Sequence, residues 1–306
     1  MTCMTSRQGR EGAAAMNDAA NSQEALPAIF AIFAKFAESV QDPSEETFWL
    51  FSQNRHQHDL GMIDPTAAEI TVTVAEKDFT IKQSPGLLTS SRSGGTTGAA
   101  VWRTTHLLAE WFASSDNVLF QSGLLDQAST LLELGSGVAG LLPLAIGQRI
   151  SRYIATDQAY ALKLLQENID ANRSTRRSKK AVDISSNIHL ASLDWENDDL
   201  SYFLTSHGLS PGVDMIIASD CVYNYHLVQP LVETCASVAR ARKSLERPTL
   251  CLVAQQLREP NVFDDWLTLF ARHFQIYRLT DETLGPQLNM SAGYVVHIGI
   301  LKDSPT

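Results

Sequence analysis

Short stretches of this sequence bring acids, glycines and aromatic residues together in a way that suits a nucleotide-like ligand. The first is Glu133-Leu134-Gly135-Ser136-Gly137-Val138-Ala139-Gly140, an acid followed by a glycine-rich turn. Glycine reaches positive φ without a Cβ clash and lets the backbone approach a ligand, while the N–H groups of a following helix face it. The second is Asp157, about twenty residues further on, where a carboxylate can accept both hydroxyls of a ribose. The third is Asp194-Trp195, whose indole offers a flat face to an adenine ring. The fourth is Ser219-Asp220-Cys221-Val222-Tyr223, closing the apolar run Val213 to Ala218. A carboxylate at the end of so hydrophobic a strand is costly if buried alone, so Asp220 needs a partner or a task.

Several chemistries drop out. The glycines fit G-x-G-x-x-G, the dinucleotide fingerprint, but Glu133 two residues ahead of them opposes a dinucleotide. No P-loop lysine follows the turn, which removes an ordinary NTPase. There is no G-x-S-x-G elbow and Cys221 has no identifiable base, so nucleophilic catalysis is not expected. His56 and His58 have no third ligand nearby and are read as a polar loop rather than a metal site. The cysteines, Cys3, Cys221, Cys235 and Cys251, lack C-x-x-C spacing and are expected to be reduced thiols.

The elements that must position these residues alternate from residue 130 onward. Strands are expected at Leu131 to Leu134, Tyr153 to Asp157, Asn187 to Leu193, Val213 to Asp220 and Thr249 to Ala254, each followed by a helical pattern or loop. Such alternation predicts a doubly wound α/β sheet with ligands at the carboxyl ends of its strands. Phe274 to Leu279 and Gly293 to Ile300 then follow as two strands without a long helix between them. Ahead of this unit, residues 26–94 are expected to form an extension with an aromatic-rich helix and the hairpin Glu69 to Lys82. The glycine-rich loop Ser90 to Gly98 leads into Trp102, and is placed to lid the ligand. Residues 1–25 have too few large apolar groups to offset the entropy of ordering and are expected to be a tail.

At 306 residues with 44% hydrophobic content the chain can bury a large core. Its net charge of -10 argues against direct nucleic-acid binding and is compatible with a basic protein partner. The basic run Arg173, Arg176, Arg177, Lys179, Lys180 falls between the second helix and third strand, on the face away from the site, and is read as a solvated loop. No signal-peptide pattern or membrane-spanning stretch is seen, which leaves the cytoplasm as the expected compartment and the nucleus as the alternative.

In order, Gly135-Ser136-Gly137, Asp157, Leu193-Asp194-Trp195 and Asp220-Cys221-Val222-Tyr223 resemble the class I, seven-strand methyltransferases. More narrowly they resemble the protein-lysine methyltransferases marked by D-x-x-Y after the fourth strand. The segment Gly95 to Trp102 is similar to the entry segment of the fungal ribosomal lysine methyltransferases. The resemblance covers about residues 95–301, within a methyltransferase domain expected at 95–306, and implies a Rossmann-like sheet whose last strand is antiparallel and inserted beside the fifth. It also implies S-adenosylmethionine as cofactor, held by Trp102, Glu133, Gly135, Ser136, Gly137, Asp157, Trp195 and Ser219. Glu133 would support the methionine end or the loop, and Asp220 and Tyr223 would border the transfer site. Ser219 departs from the Ala often found there, a small-for-small change. The implied function is protein-lysine N-methylation of a ribosomal protein or translation factor. A methyltransferase for a small molecule or another side chain, a dinucleotide-dependent oxidoreductase and a non-catalytic interaction module remain as alternatives. Substrate identity, degree of methylation and oligomeric state are not written in these residues.

Overall fold

Strand residues of this chain sort by parity onto two apolar layers, and the sheet between those layers carries the site. The computed structural model describes residues 28–53, 61–88, 97–173, 187–242 and 247–302. Its strands are β1 (Ala37–Val40), β2 (Glu69–Val74), β3 (Lys77–Lys82), β4 (Thr130–Leu134), β5 (Arg152–Asp157), β6 (Ile188–Ser192), β7 (Met215–Ser219), β8 (Leu250–Gln256), β9 (Phe274–Leu279) and β10 (Tyr294–Leu301). The main helices are α1 (Pro43–Gln53), α2 (Arg103–Ala113), α3 (Leu141–Ile146), α4 (Ala159–Asn172), α5 (Leu200–Ser206), α6 (Tyr225–Ala241) and α7 (Pro260–His273).

The large sheet runs β1-β9-β10-β8-β7-β4-β5-β6, with β2 and β3 forming a separate hairpin. From β6 to β8 the pairings are parallel, and β10 lies antiparallel between β8 and β9. The terminal strand pair is therefore the inserted antiparallel strand that the resemblance implied. The sheet carries one strand more than the expected seven. Ala37–Val40, read in sequence as the end of a helical stretch, pairs antiparallel with β9 at the sheet edge. Along β4, Leu131 faces the layer that holds α2, α3 and α4, while Leu132 and Leu134 face the layer of α5, α6 and α7. Val253 and Leu252 of β8 divide in the same way.

The hairpin is fastened to the main body by two asparagines one helical turn apart on α4. Asn168 pairs with both backbone groups of Lys82, and Asn172 with both of Thr80, so their side chains extend the β3 edge as a strand would. Asn168 also donates to the carbonyl of Val138 at 2.7 Å, tying the hairpin to the glycine turn. On the other side of the sheet, α1 packs against α7 through Phe51 and Phe263, whose ring centres are 5.5 Å apart. Residues 1–25, His56 with His58, most of the Ser90 to Gly98 loop and the basic run beyond Arg173 lie outside the described residues.

Candidate active site

The parallel strand order reverses direction of growth between β4 and β7, and that switch point opens a crevice at the strand carboxyl ends. A cleft of about 850 Å³, mouth included, occupies it. Trp102, Gly135, Ser136, Gly137, Asp157, Trp195, Ser219, Asp220 and Tyr223 all line this cleft. Residues drawn from strand ends far apart in sequence are thus brought to one place.

The glycine turn is built without room for side chains. Gly135 has φ +68°, and a Cβ there would stand 2.9 Å from the Cys221 sulfur and 3.3 Å from the Trp195 ring. Gly137 has φ +60°, and its Cβ would meet the Gly98 carbonyl at 2.8 Å. That carbonyl accepts from the Val138 N–H at 2.8 Å, so the segment 97–100 closes over the turn. Gly140, at φ +64°, would collide with Ile169 and Leu165 of α4, so the third glycine serves helix packing and not the ligand.

Asp157 anchors the turn from the neighbouring strand. One carboxylate oxygen accepts the Gly137 N–H at 2.8 Å and the other accepts the Gln158 N–H at 2.7 Å. Burial pushes this carboxyl up, and the two backbone donors pull against it. Trp195 presents its ring to Gly135, and its buried indole N–H has no acceptor among the described residues. Ser219 and Thr105 share a hydrogen bond of 3.0 Å across the floor.

Glu133 behaves differently from the rest. It does not line the cleft; it lies on the inward face of β4, in one layer with Tyr153 of β5, whose hydroxyl donates to its carboxyl at 2.8 Å. Complete burial pushes it up to about 8, so at neutral pH it is a neutral acid. Its support of the turn runs through the backbone, where its carbonyl accepts from Thr156 Oγ1 at 2.7 Å.

At the other end of the cleft Asp220 sits in the left-handed region, with φ +59°. A non-glycine residue held there costs on the order of 1–3 kcal/mol, and such strain collects at functional sites. Its side chain is 2% exposed and pairs with the guanidinium of Arg258, which follows β8. The Gln256 N–H also approaches it, at 3.4 Å. Burial pushes the Asp220 carboxyl up, while Arg258 pulls it down. Arg258 in turn lies 5.2 Å over the ring of Trp102, whose indole N–H donates to the Thr97 carbonyl at 2.9 Å. Thr97 Oγ1 donates to the Tyr223 hydroxyl at 3.1 Å, closing a chain of contacts around the mouth. Sequence reasoning missed Arg258: a single arginine in a loop carries no periodicity, and only the fold brings it to Asp220.

The lining has a consistent charge. Asp157, Asp194, Glu196 and Asp220 contribute four carboxyl groups, and no lysine, arginine or histidine lines the cleft among the described residues. The Cys221 thiol is pushed well up by burial and the surrounding acids, so it is a neutral thiol and a poor nucleophile. Such a cleft favours a cationic ligand and disfavours a pyrophosphate.

Residues 81–263, more than half of the chain, match the model of a protein family described as lysine methyltransferase. A Schizosaccharomyces pombe protein named diaminohydroxyphosphoribosylamino-pyrimidine deaminase is 31% identical over 78% of this chain and 53% of its own length. A ribosomal lysine N-methyltransferase 5 from Vanderwaltozyma polyspora is 28% identical over 81% of this chain and 94% of that protein. The chain spans about half the length of the first relative and nearly all of the second. Among solved structures, the methyltransferase domain of the bacterial CtHen1-CN has a TM-score of 0.44 at 13% identity, over 64% of this chain and 100% of that one.

Proposed function

Because the chain belongs to the lysine methyltransferase family, we propose that it transfers a methyl group from S-adenosylmethionine to a lysine side chain of a protein, either a ribosomal protein or a translation factor. The observation that carries this reading is the cleft at the sheet's switch point, whose charged lining residues among those described are all acids, with Asp220 and Tyr223 at one end. The donor has a sulfonium and an ammonium group, and the acceptor arrives as an ammonium, so both partners are cations that such a lining attracts.

The residues present fit the donor. Each Asp157 oxygen uses one lone pair on a backbone N–H and keeps another for a ribose hydroxyl. Gly135 and Gly137 leave bare backbone where a ligand can approach, and Ser136 is pinned by its hydroxyl to the Thr156 carbonyl at 2.9 Å. Trp195 offers a ring face and an unsatisfied N–H, and Trp102 with Ser219 bounds the far side. S-adenosylmethionine supplies a methyl group already activated by its sulfonium, which leaves as a neutral thioether when the amine nitrogen bonds to that carbon.

The protein's share is then alignment and charge placement. Asp220 holds and orients the incoming amine, and Tyr223, 38% exposed at the mouth, shapes the entrance for the lysine stem. The chain covers 53% of the relative named a deaminase, and among the described residues no trio of His, Cys, Asp or Glu clusters as metal ligands. No helix among them is long and apolar enough to cross a membrane. We infer action in the cytoplasm, on protein and without direct nucleic-acid contact, from the substrate class and the net charge of -10.

The test uses labelled S-adenosylmethionine with lysate from a strain lacking the protein. Label in a protein band that mass spectrometry assigns to a methylated lysine is the expected result. Asp220→Ala should bind S-adenosylmethionine normally yet lose at least about tenfold in transfer. Label confined to extractable metabolites, or binding of a nicotinamide dinucleotide in place of S-adenosylmethionine, would overturn the reading.

A further inference from the structure

Three acids in the cleft, Asp157, Asp194 and Glu196, form no ion pair among the described residues: Asp157 accepts from backbone N–H groups, and Asp194 from the Glu196 N–H and the Asn197 amide. Asp220 alone is matched, by Arg258. The match is deliberate in structural terms. Arg258 lies just past β8 with its side chain 20% exposed, held by Gln256 Oε1 at 3.3 Å and by the face of Trp102. Gly61 closes the back of this arrangement, since a Cβ there would fall 2.3 Å from Gln256 Oε1 and 3.2 Å from the guanidinium. Arg258 itself does not line the cleft, so it acts on Asp220 from behind.

The placement matters because methyl transfer needs a lone pair. An ammonium has none, and a lone carboxylate beside the acceptor would hold the lysine in that unreactive form. Resting on the lysine-methyltransferase reading above, we propose that Arg258 is a positioning residue that neutralises Asp220, so that the acceptor lysine reaches the methyl donor as a free amine. Asp220 keeps its oxygens available to orient the N–H bonds, but its charge is already answered. The incoming ammonium first gives one proton to solvent; the amine nitrogen then forms its bond to the methyl carbon as the carbon–sulfur bond breaks, and the methylated product leaves as an ammonium.

The other ionisable groups around Asp220 do not replace this cation. On its own loop, the Tyr223 hydroxyl and the Cys221 thiol are both pushed up by burial and are neutral at pH 8. From β5 and β4, Asp157 and Glu133 are carboxyls, and Glu133 is spent on Tyr153. From the start of α2, Trp102 and Thr105 line the cleft and carry no charge.

The experiment measures the pH dependence of transfer at saturating S-adenosylmethionine and saturating acceptor, so that kcat reports the bound amine. The acceptor is ribosomal protein extracted from a strain lacking this protein. In Arg258→Gln, Asp220 and the bound acceptor amine together retain a proton that the wild type releases, so the inflection of kcat moves up by about one to three pH units. At pH 8 the rate falls at least about tenfold and recovers as the pH is raised toward 10. Arg258→Lys keeps the positive charge and restores the wild-type inflection. S-adenosylmethionine affinity, read by calorimetry, stays within about twofold in both variants and reports an intact fold.

An active wild type whose Arg258→Gln variant loses rate equally at every pH would overturn the inference and leave the methyltransferase reading standing. Failure of Arg258→Lys to restore the inflection, in a variant that binds S-adenosylmethionine, would overturn it as well. A wild type that binds S-adenosylmethionine but labels no lysine at any pH would overturn the methyltransferase reading, and the inference with it.

Discussion

Glu133 shows how far a residue's identity is from its state. In the sequence it stands out as an acid before a glycine turn, where its charge draws the eye. In the fold it is 2% exposed, bonded to Tyr153, and pushed up to about 8, so it works as a neutral hydrogen-bonding acid. The linkage sign follows. The unfolded chain ionises this group near its ordinary value while the folded chain keeps it protonated, so stability is full below about pH 4.5 and is lost as the pH rises toward 8. The limiting slope is about 1.4 kcal/mol per pH unit. Glu133→Gln keeps the acceptor for the Tyr153 hydroxyl and removes the titration. Denaturant melts at pH 5, 6.5 and 8 should therefore show the wild type losing stability across this window and the variant losing markedly less. Equal slopes would mean that Glu133 is not held protonated. Asp157, Trp195, Asp220 and Tyr223 were legible because strand ends in an α/β sheet converge on one edge. Tyr153 and Arg258 were not, because their roles depend on pairing between residues that no local pattern links.

At the scale of elements, what could be read were strands with period-two or fully apolar runs and helices with a clear stripe. The hairpin β2–β3 and the closing pair β9 and β10 fall where their alternation predicts them. The strand β1 escaped because four residues, Ala37-Glu38-Ser39-Val40, carry no decisive period, and only the neighbouring β9 edge makes them a strand. The side chains behind this edge explain why the extension stays in place. Arg278 of β9, 8% exposed, pairs with Glu46 of α1 at 2.8 Å and with Glu38 of β1, and lies 4.4 Å over the Trp49 ring. Glu46 also meets His297 of β10 at 3.2 Å. Glu46 is 12% exposed and Glu38 is 64% exposed, so their contributions should differ sharply. Glu46→Ala leaves Arg278 buried without its inner partner and should cost about 3–5 kcal/mol. Glu38→Ala removes a solvated pair and should cost under about 1 kcal/mol. Urea melts of the two variants decide this, and similar losses would place the anchoring of α1 in its apolar contact with α7 instead.

For the whole molecule the decisive property is charge in relation to shape. A Rossmann-like sheet by itself says only that a ligand binds at the switch point, and the same architecture serves many chemistries. What narrows the choice is a net charge of -10 on the chain together with a cleft whose charged lining residues are all acids among those described. A field of that sign draws a basic protein toward the cleft mouth before any contact forms, and salt weakens it within about 10 Å at 0.1 M. Ribosomal proteins are basic because they bind RNA, so under the proposed function electrostatic attraction should form part of substrate selection. At saturating S-adenosylmethionine, kcat/KM toward extracted ribosomal protein should therefore fall by about tenfold between low salt and 0.3 M salt. The fall should appear in KM, with kcat nearly unchanged, because the field acts on approach and not on the transfer itself. A lysine peptide with no net charge should show little salt dependence in the same assay. If both acceptors respond alike, the acidic surface serves solubility, and selection of the substrate rests on the shape of the mouth around Tyr223 and Trp102.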